Sequence, residues 1–452
     1  MTNSKENRSM TVPNRLPIVE ADSNGIDCFG EDRDALNDLA KYYNNSNFSD
    51  ICLLVGEARY SAHRLILAKS SDVFERMFSE PWNKKDKQEV QIVEDSECEK
   101  VFSSFLRYLY CNHIVMNEKN CLPVLILADK YNIISLKKLC LNYAITHILP
   151  ETPLKDIFNI WFSYATKAYH QMLIRACVQK FAEYFQEILS SDWEKSWLSL
   201  DRDQMIEILK CNQLVVTSEY LLFEKVVAWL NAPSHPERRG PAAAPLLAQI
   251  LPLIRFAYMT ADDLSKVENS QLAESQAKLF HPLILLSYKF QALSLKSRVE
   301  SKEFITQQFL LRNYCDIRWD KRFAIDSSIV VANVETAFQF ITRSCAFPAS
   351  DWSWTLKVQP WRSNDPASSS QLRFSLAADN IDQNRSIEYM LSFVDEKKVI
   401  RSIWGRHTFS KSRYSIEIEM DNKIELSCLQ DEDSPYISFN NLNLQLNIKL
   451  ID

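Results

Sequence analysis

A chain of 452 residues, 46% apolar and 24% charged, is too long for one ordinary core and implies about three folded domains. Its formal charge of −6 excludes a broad nucleic-acid-binding face, which needs concentrated basic residues to neutralise phosphates. Its five glycines are scattered, which excludes a phosphate cradle or dinucleotide fold, where clustered glycines let the backbone approach closely.

Residues 1–30 are polar, aperiodic and without an apolar h-region, so a disordered start is expected rather than a signal peptide or anchor. No run approaches the roughly 20 apolar residues of a membrane helix. The eleven cysteines stand at irregular spacings, mostly inside apolar stretches, with no CxxC pair and no Cys/His cluster of zinc-site spacing. Buried reduced thiols in a cytosolic protein are expected, with no metal and no cofactor. The Asn-x-Ser sequons at Asn7, Asn44, Asn47 and Asn384 read as chance matches without a secretory signal.

From Asp32 the pattern turns helical, with Leu36, Leu39, Ala40 and Tyr43 at three- and four-residue spacing. Residues 51–55 form a short apolar run, Gly56 supplies a turn, and residues 58–60 offer a return strand. Residues 64–78 carry helical spacing broken at Ser70-Ser71-Asp72, where Ser71 or Asp72 is placed to cap a second helix. A strand at 89–93 and helices at 98–110, 121–130 and 135–141 complete a compact α+β domain over 31–148.

Residues 149–295 are almost wholly helical in pattern, with helices at 157–169, 172–188, 204–209 and 219–230 and a Pro-rich loop at 232–245. Residues 296–308, charged and without a clear apolar face, read as a connector. From about Phe309 the period changes. Strands are expected at 327–334, 352–358, 372–376, 386–394, 414–419, 423–429 and 442–451, giving an antiparallel β-sandwich over 309–452. The 442–448 segment is close to strict period two, one face buried and one wet.

The segments Asn47-Phe48-Ser49-Asp50-Ile51, Ala62-His63-Arg64-Leu65-Ile66-Leu67-Ala68, Ser70, Phe74 and Met77-Phe78 closely resemble the BTB (POZ) domain family. Phe105-Leu106-Arg107-Tyr108-Leu109-Tyr110, Ala128-Asp129-Lys130-Tyr131, Leu136-Lys137 and Cys140 extend the resemblance over residues 32–147. Leu214-Val215-Val216-Thr217-Ser218-Glu219, Phe223, Val226-Val227-Ala228-Trp229-Leu230 and Leu251-Pro252-Leu253-Ile254-Arg255-Phe256 look like the BACK domain that often follows BTB. The tail, with Trp352-Ser353-Trp354-Thr355-Leu356 and Trp404, looks like a TRAF-type (MATH-like) β-sandwich. The combination is similar to the BTB–BACK group related to galectin-3-binding protein and transport-and-Golgi-organisation proteins.

The resemblance implies a homodimer. Leu36, Leu39 and Tyr43 fall on the family's dimerisation helix, with packing on their own domain as the alternative. Asp50 and Arg64 would form a charged pocket beside that interface, or else a purely structural ion pair, while His63 reads as a satisfied core histidine. Many relatives bind cullin-3 through a hydrophobic-x-Glu motif after the helix that ends at Phe78; here the match is Trp82-Asn83-Lys84, with lysine reversing the family's charge. Trp82 as an ordinary loop anchor is the competing reading. Trp352, Trp354, Trp361 and Trp404 are expected mainly in the core. No convergent catalytic set is visible, so the expectation is a cytoplasmic, non-enzymatic adaptor. The BTB domain would recruit cullin-3 and the β-domain an unknown protein client, with no nucleic acid and no membrane span. A dimeric scaffold or trafficking protein without cullin is the alternative.

Overall fold

The computed structural model describes residues 38–79, 89–240, 243–332, 334–344, 350–361, 370–431 and 434–451. The expected disorder of residues 1–30, and the candidates Leu36, Trp82, Asn83 and Lys84, lie outside the described residues. The chain divides into two compact units at Ala144/Ile145.

In the first unit, β1 (Ile51–Val55) and β2 (Ala58–Ala62) make an antiparallel hairpin with Ile51 opposite Ala62. Ile51, Leu53 and Val55 alternate into the core, as period two requires. Gly56 opens the turn at φ 54, a left-handed backbone that calls for glycine. β3 (Glu89–Ile92) runs parallel to β1. The expected polar break is real: one helix spans Arg64–Ser70, and Ser71 Oγ accepts from Phe74 N at 3.2 Å to start the next, Asp72–Ser79. Ser71 also donates to Tyr131 O at 2.6 Å. Helices Ser96–Cys111, Glu118–Lys130 and Ile134–Tyr143 follow. Their packing centres on Tyr131, whose ring stacks on Phe74 at 4.5 Å and whose hydroxyl donates to Glu94 at 2.6 Å.

The second unit joins the helical region to the β-region. Its helices include Gln171–Glu183, Arg202–Lys210, Glu219–Leu230 and Ala277–Ala292. The short strands β4 (Val215–Val216) and β5 (Asn313–Tyr314) pair in parallel, tying the helical region to the entrance of the β-region. Two antiparallel sheets then face each other. One places β11 (Val399–Phe409), β10 (Arg385–Val394) and β14 (Asn441–Leu450) side by side; β6 (Asp320–Asp326) pairs β14 along the edge opposite β10, and β13 (Ile437–Ser438) is its hairpin partner. The other runs β12 (Ser415–Glu417), β9 (Gln371–Asp379), β8 (Asp351–Trp361), β7 (Thr336–Arg343). Trp354, Leu356, Phe374, Leu391, Phe393 and Leu444 meet in the core between them. Opposite Tyr389 on β10, Gly405 leaves room for the phenol, which a Cβ would strike.

Four sequence expectations are corrected. Residues 327–331 are helical, because Asp326 accepts from Ser328 N at 2.8 Å and starts a turn despite the β-branched composition. Residues 426–429 form a 3₁₀ turn. The 296–308 stretch is packed: Leu295–Glu300 is a helix, Lys296 lies 5.3 Å from the Trp404 ring, and Phe304 and Phe309 are buried against Phe290. The polar face of β14 is not wet. Asn443, Gln445 and Asn447 are buried, and Gln445 bonds Phe309 O and Leu311 N while Asn443 accepts from Arg322. Buried thiols are found at Cys98, Cys111, Cys121, Cys140 and Cys177, whereas Cys315 and Cys428 are exposed. Of the tail tryptophans, Trp352 and Trp354 are core and Trp361 and Trp404 half-buried.

Candidate interaction site

In the first unit, His63 follows the end of β2 and is buried with both ring nitrogens engaged. Nε2 meets Asn47 O at 2.9 Å and Nδ1 meets Tyr110 Oη at 2.9 Å. Facing a carbonyl, Nε2 carries the proton, so Nδ1 accepts from the tyrosine. Tyr110 also accepts from His63 N at 3.1 Å, and burial pushes its phenol up to about 12. The histidine is therefore a structural clasp between the Asn47 turn and the Ser96–Cys111 helix.

Asp50 is exposed in the single chain. Its Oδ1 accepts from the backbone N–H of Arg64 at 2.8 Å, capping the first turn of the Arg64–Ser70 helix. The Arg64 guanidinium lies 5.1 Å from the centre of the Phe78 ring, which in turn stacks on Phe74 at 5.9 Å. Phe78, the cullin candidate among the described residues, is thus half-buried between its own helix and Arg64. Tyr43 is half-buried on its own domain, with its hydroxyl 2.6 Å from Ser103 Oγ and its ring edge-on to Tyr110; Leu39 is half-buried as well. Among the exposed apolar residues of this unit, Phe48 (86% exposed) and Leu65 (81%) are the ones close to Asp50 and Arg64 in the chain. Phe48 also sits at φ 61, a left-handed conformation a bulky residue adopts only at a cost. The sequence held both residues inside its family motif but gave no sign that they face out.

The second unit contains a buried polar knot that sequence reasoning missed. Glu219 opens its helix behind the Ser218 cap, and its Oε1 accepts from Arg312 Nε at 2.8 Å and Tyr314 Oη at 3.0 Å. Oε2 accepts from Arg255 N at 3.2 Å. The Arg255 side chain donates to Asn212 Oδ1 at 2.7 Å and Leu310 O at 3.2 Å, and Arg312 donates to Leu209 O and Leu253 O. Burial and then the neighbouring Arg312 bring Arg255 down to about 9, while burial and Glu219 hold the Tyr314 phenol well above its ordinary range. One guanidinium, that of Arg312, meets the carboxylate, and the second, that of Arg255, is tolerable nearby because Asn212 and backbone carbonyls take its donors. The signal that would have found the knot is charge embedded in apolar runs, at Ile254-Arg255-Phe256 and Leu311-Arg312.

A BTB/POZ domain model matches residues 39–148, and a model described as BTB And C-terminal Kelch (BACK) matches residues 159–269. The chain carries a BTB domain followed by a BACK domain. BTB/POZ domain-containing protein 17 of Xenopus laevis is 26% identical over 63% of this chain and 58% of that protein. Kelch repeat and BTB domain-containing protein 8 of Homo sapiens is 27% identical over 60% of this chain and 42% of that protein. The chain thus spans less than two thirds of the length of these relatives. Among solved structures, the BTB domain of zebrafish PATZ1 is 24% identical, covers 26% of this chain and 96% of that one, and has a TM-score of 0.22. In this BTB–BACK chain, Glu219 and Arg255 belong to the BACK signature, and Arg312 and Tyr314 reach it from the entrance of the β-region. No described helix is long and apolar enough to cross a membrane.

Proposed function

We propose that this BTB–BACK protein is a non-catalytic, homodimeric, cytoplasmic substrate adaptor for a cullin-3 ubiquitin ligase. The BTB domain recruits cullin-3, and the C-terminal TRAF-like β-domain selects the client. The observation that carries the reading is the domain order, BTB then BACK, with Kelch-BTB relatives, which fits a cullin-3 adaptor family. Dimerisation draws support from Phe48 and Leu65: two exposed apolar side chains beside Asp50 and Arg64 suit burial against a second copy. The knot and the packed 296–308 segment support a β-domain held by the BACK domain rather than trailing on a tether.

Lys84 favours a second reading, a dimeric scaffold that has left the ligase class, because it reverses the charge that the family presents to cullin. Calorimetry with purified cullin-3 N-terminal domain separates the two. Under the adaptor reading the wild type binds, Trp82→Ala weakens binding by about 2 kcal/mol as an aromatic anchor does, and Lys84→Glu tightens it by about 1 kcal/mol. Binding that appears only with Lys84→Glu sinks the adaptor reading in favour of the scaffold.

A further inference from the structure

Within the second unit, the Gln171–Glu183 and Arg202–Lys210 helices border a cavity of about 600 Å³ that is also lined by the β10–β11 and β13–β14 turns. That volume is in the range of specific ligand sites. Ile174 and Val178 give it an apolar wall, and Phe439 projects from the β13–β14 turn. The Arg175 guanidinium rests on the Phe439 ring and makes no ion pair among the described residues, with Glu396 attracting it only at longer range. Lys397 on the β10–β11 turn makes none either, whereas Lys210 is neutralised by Glu207 at 2.6 Å. With Lys210 paired to Glu207, the lining leaves Arg175 and Lys397 against the single carboxylate of Glu396, a net positive balance. Arg322, 7% exposed and within electrostatic reach of the lining residues Glu396 and Cys211, adds positive charge behind the wall, and its Nη1 has no hydrogen-bond partner among the described residues.

Phe439 supplies the independent observation. The β13–β14 connection has two residues, Phe439 at φ 52 and Asn440 at φ 61, both left-handed. Glycine and asparagine take that conformation readily and phenylalanine does not. Such a cost is ordinarily offset by burying the ring, yet Phe439 stays 46% exposed and outside the sandwich core. What the conformation achieves is an aromatic face in the cavity, set against the Arg175 guanidinium.

We propose that this cavity binds a linear peptide bearing a carboxylate beside an apolar side chain. The carboxylate meets Arg175 and Lys397, and the apolar group meets Ile174, Val178 and Phe439. The proposal rests on the client-selecting reading above and moves the point of selection from the β-domain alone to its junction with BACK.

The test is an array of random hexapeptides probed with the full chain, beside Arg175→Glu and Phe439→Gly. Wild type should retain peptides in which Asp or Glu adjoins Leu, Ile or Phe. Arg175→Glu should lower that signal about tenfold, as loss of a charge-assisted contact does. Phe439→Gly should lower it too, while its melting temperature does not fall, since glycine relaxes the turn. A millimolar excess of free glutarate should leave the signal in place; full displacement would mean a small dicarboxylate site and overturn the peptide assignment. Acidic peptides retained equally by both variants would overturn the cavity while leaving client selection intact. No retained peptide would overturn both, and cullin recruitment would still be judged separately by calorimetry.

Discussion

Each compact unit brings a carboxylate to an arginine, and the two encounters differ in almost everything else. Asp50 in the BTB domain is exposed and bonds the main chain of Arg64, leaving the guanidinium over Phe78. Glu219 in the BACK domain is fully buried and takes the Arg312 side chain directly, with Arg255 and Tyr314 closing around it. The first arrangement lies at the surface and costs little to alter. The second is expensive to break, because removing one member strands a charge out of reach of water. Burial, not the identity of the pair, sets what each encounter costs to break.

The largest expected effect breaks the knot. Arg312→Ala should destabilise the second unit by about 3–5 kcal/mol, the cost of an unpaired buried charge, read as a shifted midpoint in urea unfolding of the full chain. A shift no larger than that of a surface substitution would mean water already reaches Glu219. A smaller effect is expected from removing the cap at the other pair. Asp50→Ala should cost about 1 kcal/mol through loss of the bond to Arg64 N, while Asp50→Asn, which keeps an acceptor, should be near neutral. Equal losses from both would show that the charge itself matters. The smallest stability effect, with the clearest functional one, is expected at Phe48. Phe48→Asn suits the left-handed backbone and should leave melting unchanged or slightly raised. Under the proposed homodimer, light scattering should nevertheless show a shift toward monomer, and an unchanged dimer would remove Phe48 from the proposed interface.

Local chemistry was legible in the sequence where one element decides it. The Ser70-Ser71-Asp72 stretch announced its break, apolar spacing announced the Glu219–Leu230 helix, and Leu442, Leu444, Leu446 and Ile448 announced β14. What escaped depends on partners far along the chain. Asn443 and Gln445 have the alternation of a solvent face, and only the arrival of Arg322, Phe309 and Leu311 makes that face interior. Strand β6, with four charged residues in seven, does not signal itself, and pairing with β14 makes it a strand, whereas the β-rich composition of β7 was a signal that went unread. At the candidate sites, His63 as a clasped core residue was readable from its apolar setting, whereas nothing near Arg312 points to a carboxylate 93 positions earlier.

The place of β14 has a consequence for synthesis. It is the last strand described, yet it lies inside its sheet, with β10 along one edge and β6 along the other, and it carries the glutamine that satisfies Phe309 and Leu311. A nascent chain emerging from the ribosome therefore holds β6, β10 and part of the BACK junction with open hydrogen-bonding edges until residues 441–450 are released. Such edges invite mispairing. A product terminated before Asn441 would lack a central strand rather than a dispensable tail, and cellular quality control should recognise it as unfolded.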